Sequence, residues 1–460
     1  MYTFKNINIR YLLLISLVSA LGGLLFGYDW VVIGGAKIFY ESYFGIEGSV
    51  LLRGWAMSCA LIGCLTGSIL SGIWSDRYGR KKMLILASIL FIVSALGAGA
   101  SDNFTLFIIY RILGGLGIGI ASNVSPMYIA EVSPAQIRGK FVSFNQLTIV
   151  IGILAAQIVN WQIGKYFSQG TETLNPESIE LAWRWMFWSG GIPAVLFFIL
   201  SFVIPESPRW MSLNNREVSA YKVFSRIGGR SFAEESLKDI KSIGKEEKSS
   251  IKQLFKPNLR KVMIIGIVLA IFQQFCGINI IFNYAHEIFS AAGYEVSDIL
   301  MNIVITGVTN LIFTVVAIYT VDRWGRRSLM LLGSAGLTII YAIIGIFYFF
   351  NILGLPLLIL VVMAIACYAM SLAPIVWVLL SEIFPNHIRG MAMAASTFFL
   401  WTASFLITYS FPILNNLLGS YGIFWLYGIV CMSGFIFIMK MVPETKGKTL
   451  EEIENELTYN

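Results

Sequence analysis

Twelve apolar segments of near membrane-spanning length constrain this chain more than any other feature. They fall at about 11–35, 50–73, 83–100, 104–126, 139–162, 186–205, 260–284, 298–320, 328–349, 354–380, 390–414 and 420–442. A helix needs about 20 apolar residues to cross the hydrocarbon core, and runs this long do not belong to soluble cores. Hydrophobic residues make up 57% of the chain and charged residues 13%, about half the charged share of a globular protein. A soluble dehydrogenase, a nucleic-acid binder and a secreted disulfide scaffold are excluded. The expected class is an all-α membrane protein.

The segments form two sets of six around one polar stretch, 206–260, with Lys or Arg at twelve positions and Asp or Glu at seven. Its Ser, Lys and Glu predict short helices lying at the membrane face. Twelve spans put both termini and this stretch on one side. Of the 33 Lys and Arg, Lys37, Arg53, Lys165 and Arg184 fall on the other side and Arg111 falls within a helix, leaving 28 on the side of the termini. That asymmetry follows the positive-inside rule, so the termini are expected in the cytoplasm. The net charge of +7 is then a topology signal, and nucleic acid is not an expected partner. Trp183, Trp185 and Trp188 are expected to form an interfacial aromatic belt where the sixth span begins.

Cys59, Cys64, Cys276, Cys367 and Cys431 all lie in apolar segments without a CxxC pair, so they read as packing residues and not as a metal site or disulfide framework. His286 and His387 are far apart near segment ends, and neither is expected to bind a metal. Lys5 and Arg10 precede an apolar run that continues past Asp29 without a small-residue cleavage site. That run is expected to be a retained first helix and not a signal peptide.

The two halves repeat each other. Asp76-Arg77-Tyr78-Gly79-Arg80 recurs as Asp322-Arg323-Trp324-Gly325-Arg326, 246 residues later. The stretch from Glu131 to Arg138-Gly139 recurs from Glu382 to Arg389-Gly390 at an offset of 251, and Pro205-Glu206-Ser207 recurs as Pro443-Glu444-Thr445 at 238. Three motifs in one order at nearly constant offset indicate a duplicated six-helix unit.

These residues carry a resemblance to a known family. GGLLFGYD (22–29), DRYGRKK (76–82), PESPRW (205–210), QQFCGIN (273–279), DRWGRR (322–327) and PETKGKTLEE (443–452) are similar to the sugar porters of the major facilitator superfamily. Within it the chain resembles bacterial D-xylose/proton symporters and facilitative glucose carriers, from about residue 11 to residue 453. The resemblance implies two six-helix bundles, 1–205 and 260–442, a cytoplasmic linker at 206–259 and a cytoplasmic tail at 443–460. It further implies a sugar site between the bundles at mid-membrane and alternating access by rocking. The chain is then expected to be a multi-pass protein of a bacterial inner membrane, without a cofactor, bounded by lipid and acting as a monomer. No nucleophile–base or metal constellation suggests an enzyme.

Sugar recognition needs neutral donors and acceptors for hydroxyls and flat apolar walls for the ring. Polar side chains inside spans are costly unless they are paired or face a cavity. The candidates are Gln146 in span five, Gln273, Gln274, Asn279 and Asn283 in span seven, Asn310 in span eight, Trp377 in span ten and Trp401 in span eleven, with Phe26 in span one. An unwinding near Gly277 is expected to bring Gln273 and Asn279 together. The alternative is that such amides merely join helices. Relative to the xylose-symporter pattern, Ile153, Asn283-Tyr284, Leu400 and Ala373-Pro374 are departures, and they bear on pentose against hexose.

Asp29 lies about 9 Å below the outer end of span one and Arg111 about 10 Å below that of span four, at 1.5 Å per residue. An ion pair at shared depth would satisfy both charges, and protonation of the aspartate would free the arginine. The resembled symporters use an aspartate here for proton coupling, whereas the facilitative carriers have asparagine. Proton symport is the expected activity, with uniport the alternative. The charges Asp76, Arg77, Arg80, Glu131, Arg138 and Glu206, and their repeats Asp322, Arg323, Arg326, Glu382, Arg389 and Glu444, are expected to act in conformational gating. A network at helix ends can bias a two-state equilibrium; otherwise it only fixes turns. Gly115, Gly117 and Gly119 suit a close helix contact better than a dinucleotide loop. The N-x-[ST] match at Asn123 and Ser125 lies at membrane depth and marks no glycosylation site.

Overall fold

The structure, a computed structural model, describes residues 7–134, 137–168, 175–243, 257–291, 293, 296–385, 388–448, 452–453 and 456–457. Lys5, His387 and the side chains of Asp322 and Arg389 lie outside the described residues. Among the described residues no strand occurs. The N half comprises α1 Ile9–Tyr43, α2 Val50–Tyr78, α3 Arg80–Gly99, α4 Phe104–Val132, α5 Arg138–Ser168, α6 Pro176–Ser189 and α7 Gly191–Val203. Two linker helices follow, α8 Pro208–Leu213 and α9 Glu217–Ile243. The C half comprises α10 Arg260–Phe275, α11 Ile278–Asn283, α12 Ala285–Ala291, α13 Val296–Trp324, α14 Arg326–Phe349, α15 Leu355–Met370, α16 Leu372–Ile383 and α17 Arg389–Met441.

Among the described residues, eleven helical stretches are long and apolar enough to cross a membrane, and the last contains two spans. At 53 residues, α17 would be about 80 Å long, roughly twice the thickness of a bilayer with its headgroups. It turns at Gly419, whose φ of 67° is a left-handed value that favours glycine. Twelve spans therefore stand, as expected from the apolar pattern. Exposed Ile73, Ile192, Tyr319, Leu417 and Ile429 give this bundle an apolar outer surface that suits lipid and not water.

Local sequence sets the ends. Asn8, Ser49 and Asn103 cap α1, α2 and α4 by accepting the N–H groups of Tyr11, Leu52 and Leu106, which satisfies donors left over at a helix start. The turns after α2 and α13 each rest on a glycine with positive φ, Gly79 at 96° and Gly325 at 89°. The α2–α4 contact is closer than side chains allow. A Cβ on Gly115 or Gly119 would run into the carbonyl oxygens of Ala60 or Cys64, so these glycines serve a helix crossing. Asn123 donates to the Ser68 carbonyl and Ser71 Oγ at 3.1 and 2.9 Å inside the same contact.

Two expectations need correction. The first span continues to Tyr43 and not to about residue 35, because Lys37 and Glu41, which end the apolar run, are buried and ion-paired. The three tryptophans do not form one belt. Trp183 is fully buried against Tyr43, Phe44 and Phe107, while Trp185 is 51% exposed and rests edge-on against Trp188. Helical periodicity separates them: residues 183 and 187 face inward, residues 185 and 188 outward.

The linker helices pack on the N half. Trp210 of α8 donates its indole N–H to the Asp76 carbonyl at 2.8 Å, and the Asn8 N–H bonds to the carbonyl of buried Ile227 in α9 at 2.8 Å. The end of the bundle bearing α8, α9, Arg80 and Arg326 is termed the basic face below.

Candidate functional site

Asp29 and Arg111 meet. Arg111 Nη1 donates to Asp29 Oδ1 at 2.8 Å and Nη2 to the Asp29 carbonyl at 3.3 Å. The pair is buried, with Arg111 1% exposed. Asp29 Oδ2 and Arg111 Nε have no hydrogen-bond partner. A small cavity lies at Asp29, bounded by Tyr28, Phe91, Ala95, Phe187 and Gly190. Buried charges are tolerable only when paired, and here one carboxylate oxygen is held while the other has no partner.

Across the bundle, the seventh and tenth spans are broken. Gly277, at φ 85°, separates α10 from α11, and Ser371 separates α15 from α16. Gln273 bridges the two breaks, its Nε2 donating to the carbonyls of Leu372 and Ala373 at 3.3 and 3.0 Å. The amide that meets Asn279 is therefore Gln274, whose Oε1 accepts from Asn279 Nδ2 at 2.5 Å. The break at Gly277 turns the neighbouring glutamine toward it. Asn283 and Asn310 are buried, and Asn283 Oδ1 has no partner. Gln146 and Trp377 are half-buried.

Phe26, Trp30 and Trp401 pack ring to ring at 5.9–6.1 Å, joining α1 to α17 across the halves. The indole N–H of Trp401 has no partner. A second small cavity ties this region to the ion pair: its walls include Trp30 and Arg111 from the N half and Asn283 from the C half. Arg111 thus stands between the acid and the Asn283 amide.

At the basic face the duplicated motifs build two matching cradles. In one, Arg80 Nη2 donates to Glu131 at 2.9 Å and Ser207 Oγ to the same carboxylate at 2.6 Å. In the other, Arg326 Nη2 donates to Glu382 at 3.0 Å and Thr445 Oγ1 to it at 2.6 Å. Glu206 accepts the N–H groups of Arg80 and Lys81 at 2.8 and 3.1 Å, and Glu444 those of Arg326 and Arg327 at 2.9 and 3.1 Å. Each glutamate caps a helix start, where the dipole favours an anion. Asp76 adds an ion pair to Arg80 at 3.2 Å. Arg77, Arg138 and Arg323 are exposed.

Several polar groups escaped sequence reasoning. Gln157 lies eleven residues beyond Gln146, three turns along one face of α5, is 1% exposed and has both amide atoms unpaired. Trp30, which packs on Phe26 and Trp401, carries no local signal that sets it apart from the other apolar residues of span one. At the face opposite the basic one, Lys37 and Glu41 of α1, Arg53 of α2 and Glu287 of α12 form a charge cluster. The legible signal was a lysine and a glutamate one turn apart inside a spanning helix. His286 lies beyond the end of the seventh span at Asn283; burial first, then Lys37 and Arg53, push it down to about 4, so it is neutral at pH 7.

Comparison with known proteins places this geometry. Residues 15–457 match the family model described as "Sugar (and other) transporter". The arabinose-proton symporter of Bacillus subtilis (strain 168) is 39% identical over 452 residues, covering 98% of this chain and 96% of the relative. The D-xylose-proton symporter of Escherichia coli (strain K12) is 39% identical over 477 residues, covering 97% and 96%. A solved structure of the E. coli xylose transporter in an inward open conformation superposes with a TM-score of 0.84 at 38% identity, covering 97% of this chain and all of that one.

Proposed function

The chain belongs to the sugar (and other) transporter family, and from that premise we propose that it carries one monosaccharide together with a proton by alternating access. It is a multi-pass membrane transporter and not an enzyme. D-Xylose and D-glucose remain the first candidates, and the relatives named for D-xylose and arabinose favour a pentose. The basic face is read as cytoplasmic from the distribution of Lys and Arg, in a bacterial inner membrane, with lipid around a monomeric bundle.

One observation carries the mechanism. Arg111 is bound to Asp29 and also walls a cavity shared with Asn283. A proton taken up at Asp29 removes the charge that holds the guanidinium. Arg111 is then free to turn toward the sugar side, and the link between α1 and α4 loosens. Gln274, Asn279, Asn283, Gln146 and Asn310 would hold hydroxyls, with Phe26, Trp377 and Trp401 as flat walls. Gln273 has its Nε2 engaged by two carbonyls at the start of α16, which supports a role in relaying sugar contact to the tenth span. The basic-face cradles would part and re-form as the halves rock.

Labelled xylose and glucose uptake into proteoliposomes, with and without an inward proton gradient, tests this. Accumulation above equilibrium that collapses with a protonophore is expected, and cross-competition names the sugar. Equilibration without accumulation would make the protein a facilitative uniporter and leave Asp29–Arg111 as structure.

A further inference from the structure

The charge cluster at the opposite face takes no part in the proposed coupling or sugar contacts, yet it joins the halves. Lys37 Nζ donates to Glu287 Oε1, and Arg53 Nη2 reaches the same oxygen at 2.9 Å. Arg53 Nε also holds Glu41 Oε2 at 3.1 Å, while Lys37 lies 3.6 Å from Glu41 Oε1. The Lys37 side chain is 1% exposed and lies over the ring of Tyr284, 4.2 Å from its centroid. Two cations and one anion belong to α1 and α2, and the balancing anion belongs to α12 of the other half. The cluster is neutral only while the halves touch here. The basic-face ion pairs differ, since Arg80–Glu131 and Arg326–Glu382 each stay within one half.

We propose that Lys37, Glu41, Arg53 and Glu287 form an electrostatic latch that closes the opposite face and whose parting admits substrate from that side. The proposal rests on the alternating-access reading above. In the closed state Lys37 and Glu41 are buried away from water, so their charges attract strongly and neither can be left without its partner. When the face opens, water enters and hydrates both sides, which makes separation possible. An apolar contact of the same shape lacks that second part, because opening it exposes apolar surface instead. Polar chemistry here would give a gate that closes firmly and still opens.

The test reads the gate and not the sugar. Spin labels on exposed Glu47 and Ser290, placed in the α1–α2 connection and on α12, report the distance across the face in the full chain in nanodiscs. The parent protein should give mainly a short distance. Glu287→Gln leaves Lys37 and Arg53 with one anion, and should raise the open-to-closed ratio by at least about tenfold. Lys37→Met combined with Glu287→Met removes the unpaired charges together; it should restore the short distance and slow uptake. Arg53→Gln, at a side chain 27% exposed, is the milder variant and should open the face less than Glu287→Gln. If Glu287→Gln cannot be folded, Arg53→Gln decides alone by the sign of its shift. An unchanged distance in whichever of these variants folds, or a double variant as open as Glu287→Gln, overturns the latch. Absence of uptake in the parent with these distance shifts intact would sink the symport reading and leave the latch standing.

Discussion

The first and seventh spans occupy equivalent places in the duplicated unit, as do the fourth and tenth, yet they are built differently. In the N half, α1 and α4 run unbroken for 35 and 29 residues. In the C half the seventh span is two helices, α10 and α11, and the tenth is also two, α15 and α16. The charged pair Asp29–Arg111 lies in the unbroken half. At the offset of 251 that relates the Glu131 and Glu382 motifs, Arg111 corresponds to Val362, so the C half lacks that charge. It has Gln273, Gln274 and Asn279 beside its breaks instead. Duplication supplied the scaffold, and divergence separated the tasks. A rigid pair of helices holds a charge pair at a fixed distance, while an interrupted helix offers backbone and amides to a neutral ligand and can bend when it binds.

The sharpest way to break this division is to take the acid away. Asp29→Asn should abolish sugar accumulation in proteoliposomes while sugar exchange continues. At 100 mV one proton per sugar supports about 50-fold accumulation, so the expected fall is from that ratio toward one. Accumulation that persisted would mean the acid is elsewhere. The complementary change lies in the C half. Gln274→Ala or Asn279→Ala should weaken sugar binding about 5- to 30-fold, the value of one lost hydroxyl partner, with proton dependence intact. Isothermal titration and pH-jump uptake on the same sample would show the two effects apart. If Gln274→Ala removed proton dependence as well, the division would be wrong.

How much of this was legible in the sequence depended on whether a feature is local. Helix number follows from the long apolar runs, and the turn glycines and both cradles from short motifs, because a capping carboxylate and a glycine with positive φ act on their own neighbours. The pairing of Asp29 with Arg111 was legible because charges in an apolar run have few ways to be satisfied. The partner of Asn279 was not, since the turn at Gly277 decides whether residue 273 or 274 faces it. The burial of Trp183 against the exposure of Trp185 needed the helix face as well as the composition. Glu287 is separated from Lys37 by 250 residues, and nothing local links them. Likewise Gln157 looks like any lone amide until its unpaired atoms are seen at the contact of α5 with α13, beside Gly307.

A smaller effect sharpens the contrast between broken and unbroken spans. Gly277→Ala forces a left-handed φ on a residue with a side chain, a cost of about 1–2 kcal/mol, and its Cβ would come 2.6 Å from the Tyr427 ring. Thermal unfolding in detergent should fall by a few degrees. Gly72→Ala in α2, where a Cβ meets nothing within 4 Å, should raise it slightly, because alanine is favoured over glycine inside a helix by about 0.5–1 kcal/mol. If both substitutions acted alike, the break at Gly277 would not be a structural requirement.

The smallest expected difference is the one between the cradles, and for that reason it tests the comparison from the other side. Glu206 and Glu444 each accept the first two N–H groups of a helix and sit at the same end of its dipole. Removing either charge while keeping the shape, by Glu206→Gln or Glu444→Gln, should cost about 1 kcal/mol, with the two values within about 0.5 kcal/mol of each other. Thermal unfolding of the two variants measures this. Equal shifts would mean that the ends of the halves remained interchangeable while their middles diverged, which is what a rocking pair requires: matched pivots around an asymmetric centre. A much larger loss from one glutamate than from its repeat would mean that asymmetry extends to the basic face, and that one half moves against the other as a fixed support.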